Sequence, residues 1–160
     1  MRYKNDEFFN IIDDLLESDT VNNLKFYRHH YGSNRFDHSM SVAYYSYLVC
    51  KFLHLDYKSS SRAGMLHDLF LYDCESKVTR PKFHIWNHPK IALQNARKLF
   101  DLNDKECDII LKHMWPITFS APKYFESFIV ASIDKYCAFI EWSNYCKNIL
   151  LYLYISYFYI

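Results

Sequence analysis

Residues 63–73 read AGMLHDLFLYD, and the adjacent pair His67-Asp68 inside this apolar run decides how the rest of the chain must be read. A buried imidazole or carboxylate costs several kcal/mol unless it is paired or bound to a metal. Asp68, flanked by leucines, therefore needs partners from other parts of the chain. Ala63 and Gly64 allow another helix to approach closely. Neighbouring residues on a helix diverge by about 100°, so the pair cannot converge on one ion from a single helix face. An ion lying against the helix, or two ions bridged by the carboxylate, would resolve that geometry.

Working outward, further chemistry-bearing residues sit in similar settings: His38 in RFDHSMSVA, His88 in NHPKIALQNA, His113 in IILKHMW and Asp134 in ASIDKYCAF. Each falls on or beside a different predicted helix. Helices are expected over about 5–17, 37–53, 58–71, 89–100, 103–114 and 123–141, with a shorter helical piece and a Gly32 turn within 18–36. Residues 73–83, with Pro81, read as a loop. Pro89 suits a first helical turn, where its missing N–H would be unpaired anyway, and Asn103 or Asp104 can cap the next helix. Several helices presenting such groups to one bundle interior is how metal sites are built in helical folds.

The chain has 160 residues, 51% hydrophobic and 23% charged, with only two glycines and four prolines. That favours a single all-α domain, 1–160, whose helices are joined by short loops. A net charge of +1 with no basic stripe argues against a nucleic-acid polymer as partner. Five widely spaced cysteines suggest reduced thiols in a cytoplasmic protein rather than a disulfide framework. The N-terminus, MRYKNDEFF, lacks an apolar export signal. The stretch ILLYLYISYFYI, 149–160, falls short of the ~20 residues of a membrane span. It is expected to pack on the domain or to form an oligomer contact, such as a homodimer, and its tyrosines leave helix or strand open.

The segments quoted above follow the order H…HD…H…H…D and resemble HD-superfamily metal-dependent phosphohydrolases over about residues 34–140. The resemblance implies an HD-type helical bundle with the metal site in its interior. It further implies that His38, His67, Asp68 and Asp134 ligate one metal, and that Asp68 bridges to a second held by His88 and His113. His67 and Asp68 would then be central to catalysis. The two extra histidines place the resemblance with the dinuclear branch, which includes HD-type dinucleoside polyphosphate hydrolases. The GYP signature of the cyclic-dinucleotide members is missing. The implied cofactors are two divalent ions, iron or manganese first, with zinc, cobalt or nickel as alternatives. The implied activity is hydrolysis of a phosphate ester or anhydride in a small nucleotide-like substrate. A di-iron oxygenase and a non-catalytic metal- or nucleotide-binding module remain alternatives.

Arg35, three residues before His38, and His84, in the predicted loop before His88, are the candidate substrate contacts, with Arg80 and Lys82 behind them. Lys112 and Lys135 adjoin predicted ligands but should point away from them, since helix neighbours diverge. Trp86, Trp115 and Tyr72 either stack a base or pack, and Asp37 and Asp73 are candidate orienting partners for imidazoles. His29, His30 and His54 match no motif position and receive no role.

Overall fold

The computed structural model describes residues 5–29, 33–73 and 82–158, with side chains to 152. Residues 30–32, which hold His30 and the Gly32 turn, lie outside the described residues, as do 74–81, with Arg80 and Pro81, and 159–160. Among the described residues, seven α-helices and one 3-10 turn run in order: α1 Asp6–Leu16, α2 Asp19–Asn22, the turn Asn23–Phe26, α3 Arg35–Phe52, α4 Tyr57–Leu66, α5 His84–Leu99, α6 Asp104–Lys112 and α7 Phe125–Phe158. Among the described residues there is no strand beyond one bridged pair, Arg28 with Asn34. The all-α reading holds.

The helix ends follow from local chemistry. Asn5 caps α1 by accepting from the Phe8 N–H, and Asn103 rather than Asp104 caps α6, in a reciprocal box with Glu106. Phe8, Ile12 and Leu15 recur at helical spacing, are fully buried, and dock α1 on α4. Each contributes about 1.5–3 kcal/mol of apolar burial.

The α3–α4 pair forms the most extensive packing in the molecule. A Cβ placed on Gly64 would sit 3.0 Å from the Ala43 Cα, so glycine is what lets the two backbones meet. The buried face of α3 is unusual because it carries Arg35, His38, Ser39 and Ser46 beside Val42, Ala43 and Cys50. Polar groups at core positions erase the apolar stripe a helix normally shows. They place chemistry in the centre of the bundle.

Three boundaries differ from expectation. α4 ends at Leu66 rather than near 71, because the His67 ring takes a carbonyl of the last turn. α5 begins at His84, five residues before Pro89, so the proline sits in the second turn. Contacts from outside the helix hold that first turn: Tyr72 to His84, and the Asn87 side chain donating to the Lys82 carbonyl. α7 does not stop near 141 but continues as helix to Phe158, which settles helix over strand. Its far end is not packed on the bundle at Ile149, Leu150, Leu151 or Tyr152, all of which are exposed. No helix among the described residues is long and apolar enough to cross a membrane.

Candidate metal centre

His67 and His113 occupy equivalent places, each the residue that closes a helix, α4 and α6 respectively. The last carbonyls of a helix lack intrahelical partners, and each ring uses one of them. His67 Nδ1 donates to the Gly64 carbonyl at 2.7 Å, and His113 Nδ1 donates to the Ile110 carbonyl at 2.8 Å. Two helix C-termini, each carrying partial negative charge, thus point at one spot, which favours a cation there. His88, on α5, follows suit by donating Nδ1 to the His84 carbonyl at 3.0 Å. His38, on α3, has its Nδ1 on the Glu141 carboxylate at 3.0 Å.

The opposite ring nitrogens converge. His38 Nε2 lies 3.0 Å from Asp134 Oδ1, and His67 Nε2 lies 3.6 Å from the same oxygen. Asp68 offers one oxygen to each side. Its Oδ2 is 3.8 Å from His67 Nε2, while its Oδ1 is 3.5 Å from both His88 Nε2 and His113 Nε2. All six predicted ligands therefore meet in one place, in two groups joined by the Asp68 carboxylate. The end of α4 at this pair removes the 100° conflict that a continuous helix would have imposed.

Whether these residues suit a metal can be judged from His88 and His113. A carbonyl only accepts, so both Nδ1 atoms must carry hydrogen, and a neutral imidazole has only one. Their Nε2 lone pairs then face each other at 2.9 Å. Burial holds both rings below the usual imidazole range, His113 down to about 3, so a proton does not relieve the clash near neutrality. A cation shared by both lone pairs does. His67 Nε2 and Asp68 Oδ1 are also buried, with no hydrogen-bond partner among the described residues. Such buried polar atoms are uncommon and call for an explanation. The groups His38/His67/Asp68, His67/His113/Asp134 and Asp68/His88/His113 could each hold a metal ion.

The charge states split the site in two. Burial disfavours the charged form of His38, but hydrogen bonds to Asp134 and Glu141 outweigh it and raise the ring to about 10. Burial likewise opposes ionisation of Asp68 and Asp134, yet the surrounding imidazoles hold both carboxyls well below the ordinary range.

A cavity of about 520 Å³ opens onto the site. Phe70, Ile85, Met114, Ile117 and Ala138 make its apolar wall, and Arg28, His84 and Lys135 are among its polar lining. His84 stands at its edge, its Nδ1 2.9 Å from the Tyr72 hydroxyl and its ring stacked on His88. Trp86 is half-exposed, with its ring 6.1 Å from that of Phe119.

Arg35 is elsewhere. It is fully buried, donating from Nη1 to the Phe70 carbonyl at 2.6 Å and from Nη2 to the Tyr72 carbonyl at 3.2 Å, with its guanidinium 3.7 Å above the Phe70 ring. It fastens the segment after the His67-Asp68 pair instead of lining the cavity. Lys112 turns to Ser120, but Lys135 does not point away. Its flexible stem curls back so that Nζ donates to the His113 carbonyl at 2.7 Å, 3.8 Å from Asp134 Oδ2. Asp37 is exposed and pairs with Asn34, so the orienting carboxylate for His38 is Glu141 instead.

Sequence reading missed Glu141, Arg28 and His29. Glu141 lies seven residues after Asp134, two turns along α7 and so on the same face, a signal that was available. Arg28 and His29 lie in an irregular segment that carries no periodicity. Compared with protein-family models, curated proteins and solved structures, the chain matches none.

Proposed function

We propose that this chain is a dinuclear metal-dependent phosphohydrolase of HD type, cleaving a phosphate ester or anhydride of a small nucleotide-like substrate. The observation that carries the reading is the Asp68 carboxylate, turned with one oxygen toward His67 and the other toward His88 and His113. His38, His67, Asp68 and Asp134 would hold one ion, and Asp68, His88 and His113 the other. Mixed imidazole and carboxylate donors suit iron or manganese and also accept zinc, cobalt or nickel. Two bound ions would supply a water of lowered pKa as nucleophile and neutralise charge developing on the phosphoryl oxygens.

The chain's own residues do the rest. The Gly64, Ile110 and His84 carbonyls and the Glu141 carboxylate fix each ring's tautomer and aim. Three carboxylates, Asp68, Asp134 and Glu141, would not cancel two dications, so the site keeps a positive surplus that Arg28 and Lys135 at the cavity enlarge. That surplus suits an anionic substrate. The apolar wall of Phe70, Ile85, Met114 and Ile117 suits the uncharged part of a nucleotide and keeps water out.

Metal analysis of protein purified without chelator should find two ions per chain. At least one of a panel of nucleotides and dinucleoside polyphosphates should then be hydrolysed, read as inorganic phosphate or as new nucleotide products, equally well with and without oxygen. A loaded protein inert across the panel, or one strictly dependent on oxygen, overturns the assignment.

A further inference from the structure

The long helix α7 is apolar on two sides. On its inner side Ile129, Val130, Ile133 and Cys137 are buried as the helix packs on α3 and α6. Glu141 also turns inward, receiving His29 Nδ1 at 3.2 Å on one oxygen and His38 Nδ1 at 3.0 Å on the other. On the outer side Phe125, Phe128, Tyr136, Phe139 and Trp142 follow one another at helical spacing, with Ser132 in the widest gap. These five are 41–61% exposed. The Phe125 and Phe128 rings stack 6.2 Å apart, and Phe139 lies 5.7 Å from Trp142, so neighbours along the stripe touch only each other's edges and faces.

Beyond Glu141 the inner side loses its support as well. Every side chain from Lys147 to Tyr152 is exposed, and Ile149 and Leu150 prolong the outer stripe. The helix nevertheless runs on to Phe158. A segment of this length is marginal as a helix in water unless packing supports it, and a helix apolar on all sides belongs in an interior.

The size and chemistry of this face indicate what covers it. A large side chain buries about 150–250 Å² when enclosed, so seven half-exposed ones hold on the order of 700 Å². That lies within the ~600–1,000 Å² that each partner contributes to a stable interface. Charge is nearly absent: from Tyr136 to Tyr152 there are only Glu141, turned inward, and Lys147. A helix that lies on a membrane carries several Lys or Arg on its polar face, and this one does not. No described helix is long and apolar enough to cross a membrane. An uncharged apolar stripe is complementary to itself, and a two-fold axis brings the same stripe from a second copy against it.

We propose that a second copy of this chain covers the outer face of α7, with the α7 helices of the two copies lying along each other. Phe125, Phe128, Tyr136, Phe139, Trp142 and Leu150 form the contact. The helix that joins the copies carries Asp134 and Glu141 on its other side, so pairing also braces the half of the site that holds His38.

The test is sedimentation of the full chain over a dilution series, with circular dichroism on the same samples. Wild type should have twice the 19.4 kDa of one chain when concentrated. On dilution the mass should fall towards one chain, and helical signal from the end of α7 should fall with it. Trp142→Glu combined with Ile149→Glu should weaken self-association ~30-fold or more. Both positions are exposed within one chain, so the bundle should keep its fold. Should that double variant unfold, Leu150→Glu alone reads the same quantity. Phe26→Glu, at an exposed apolar position off α7, should leave the mass unchanged. A mass of one chain at every concentration overturns the inference, as does a dimer that survives the α7 substitutions or is broken by Phe26→Glu. Single chains that co-sediment with vesicles of phosphatidylcholine and phosphatidylglycerol would assign the face to a lipid surface and overturn it too.

Discussion

The two halves of the site use one residue type in opposite electrical states. On one side His38 sits between two carboxylates, Asp134 and Glu141, and is driven toward its charged form. On the other, His88 and His113 have backbone carbonyls behind them and each other in front, and burial keeps them neutral. The first half is held together by ion pairing even without metal. The second is held apart by two lone pairs and becomes favourable only with a cation between them. Removing residues from the two halves should therefore change stability and metal binding in different combinations.

The largest effect is expected from Asp134→Ala. It strips a buried His38 of one of its two carboxylates, leaving Glu141 on the other nitrogen, and should cost about 3 kcal/mol in metal-free protein, the low end for a broken buried ion pair, read as a fall in denaturant midpoint with chelator present. It should abolish metal uptake by the same half. A variant as stable as wild type would mean that the ion pair holds nothing together.

Gly64→Ala comes next. Its methyl would press on the Ala43 backbone and move the carbonyl that aims His67. A loss of about 1–3 kcal/mol is expected, along with weaker binding of one metal and unchanged binding of the other. Equal weakening of both would erase the distinction between the halves.

The halves should also part with pH in chelated protein. His38, raised to about 10, contributes stability that is complete below its ordinary value of 6.5 and is lost as pH climbs toward 10. His113, pushed down to about 3, contributes stability that is complete above 6.5 and is lost as pH falls toward 3. Glu141, lowered to about 2, adds to the acid loss. Thermal melts should peak near neutrality, and His38→Asn should flatten the alkaline limb. Stability rising steadily into alkali would contradict the assignment.

The smallest effect is expected from His88→Ala. It removes one of two opposed lone pairs beside an existing cavity, so metal-free stability should stay within about 1 kcal/mol of wild type. Metal-induced stabilisation should nevertheless shrink. A large destabilisation would show that the pair is already relieved by some other means.

How far the site could be read from the amino acids depended on whether each residue stood on a regular element. Asp134 stood within a predicted helix and His88 one residue before another, so the periodic apolar residues beside them signalled that they were buried. The end of α4 was harder, whereas that of α6 fell within two residues of the expected 114. His67 and His113 terminate their helices by capturing a carbonyl with their own side chains, and propensity does not register that event. His29 had no periodic frame at all. Glu141 read as one more polar position on a helix, because what singles it out is a pair of imidazoles from distant stretches. Arg35 misled for a related reason. Proximity to His38 along α3 says little about direction, and the guanidinium turned inward to carbonyls that had no visible claim on it.

That inward turn makes Arg35 a gauge of chain length. Its fork spans Phe70 and Tyr72, so the backbone after Asp68 is metered against the first residue of α3. One residue inserted between Asp68 and Tyr72 would slide a carbonyl out of reach and rotate the carboxylate out of register with the imidazoles. A lysine there would supply a single point charge where two directed donors are needed. Alignment at the centre of the molecule is thereby tied to the spacing of four peptide units, and this short stretch should tolerate no insertion or deletion.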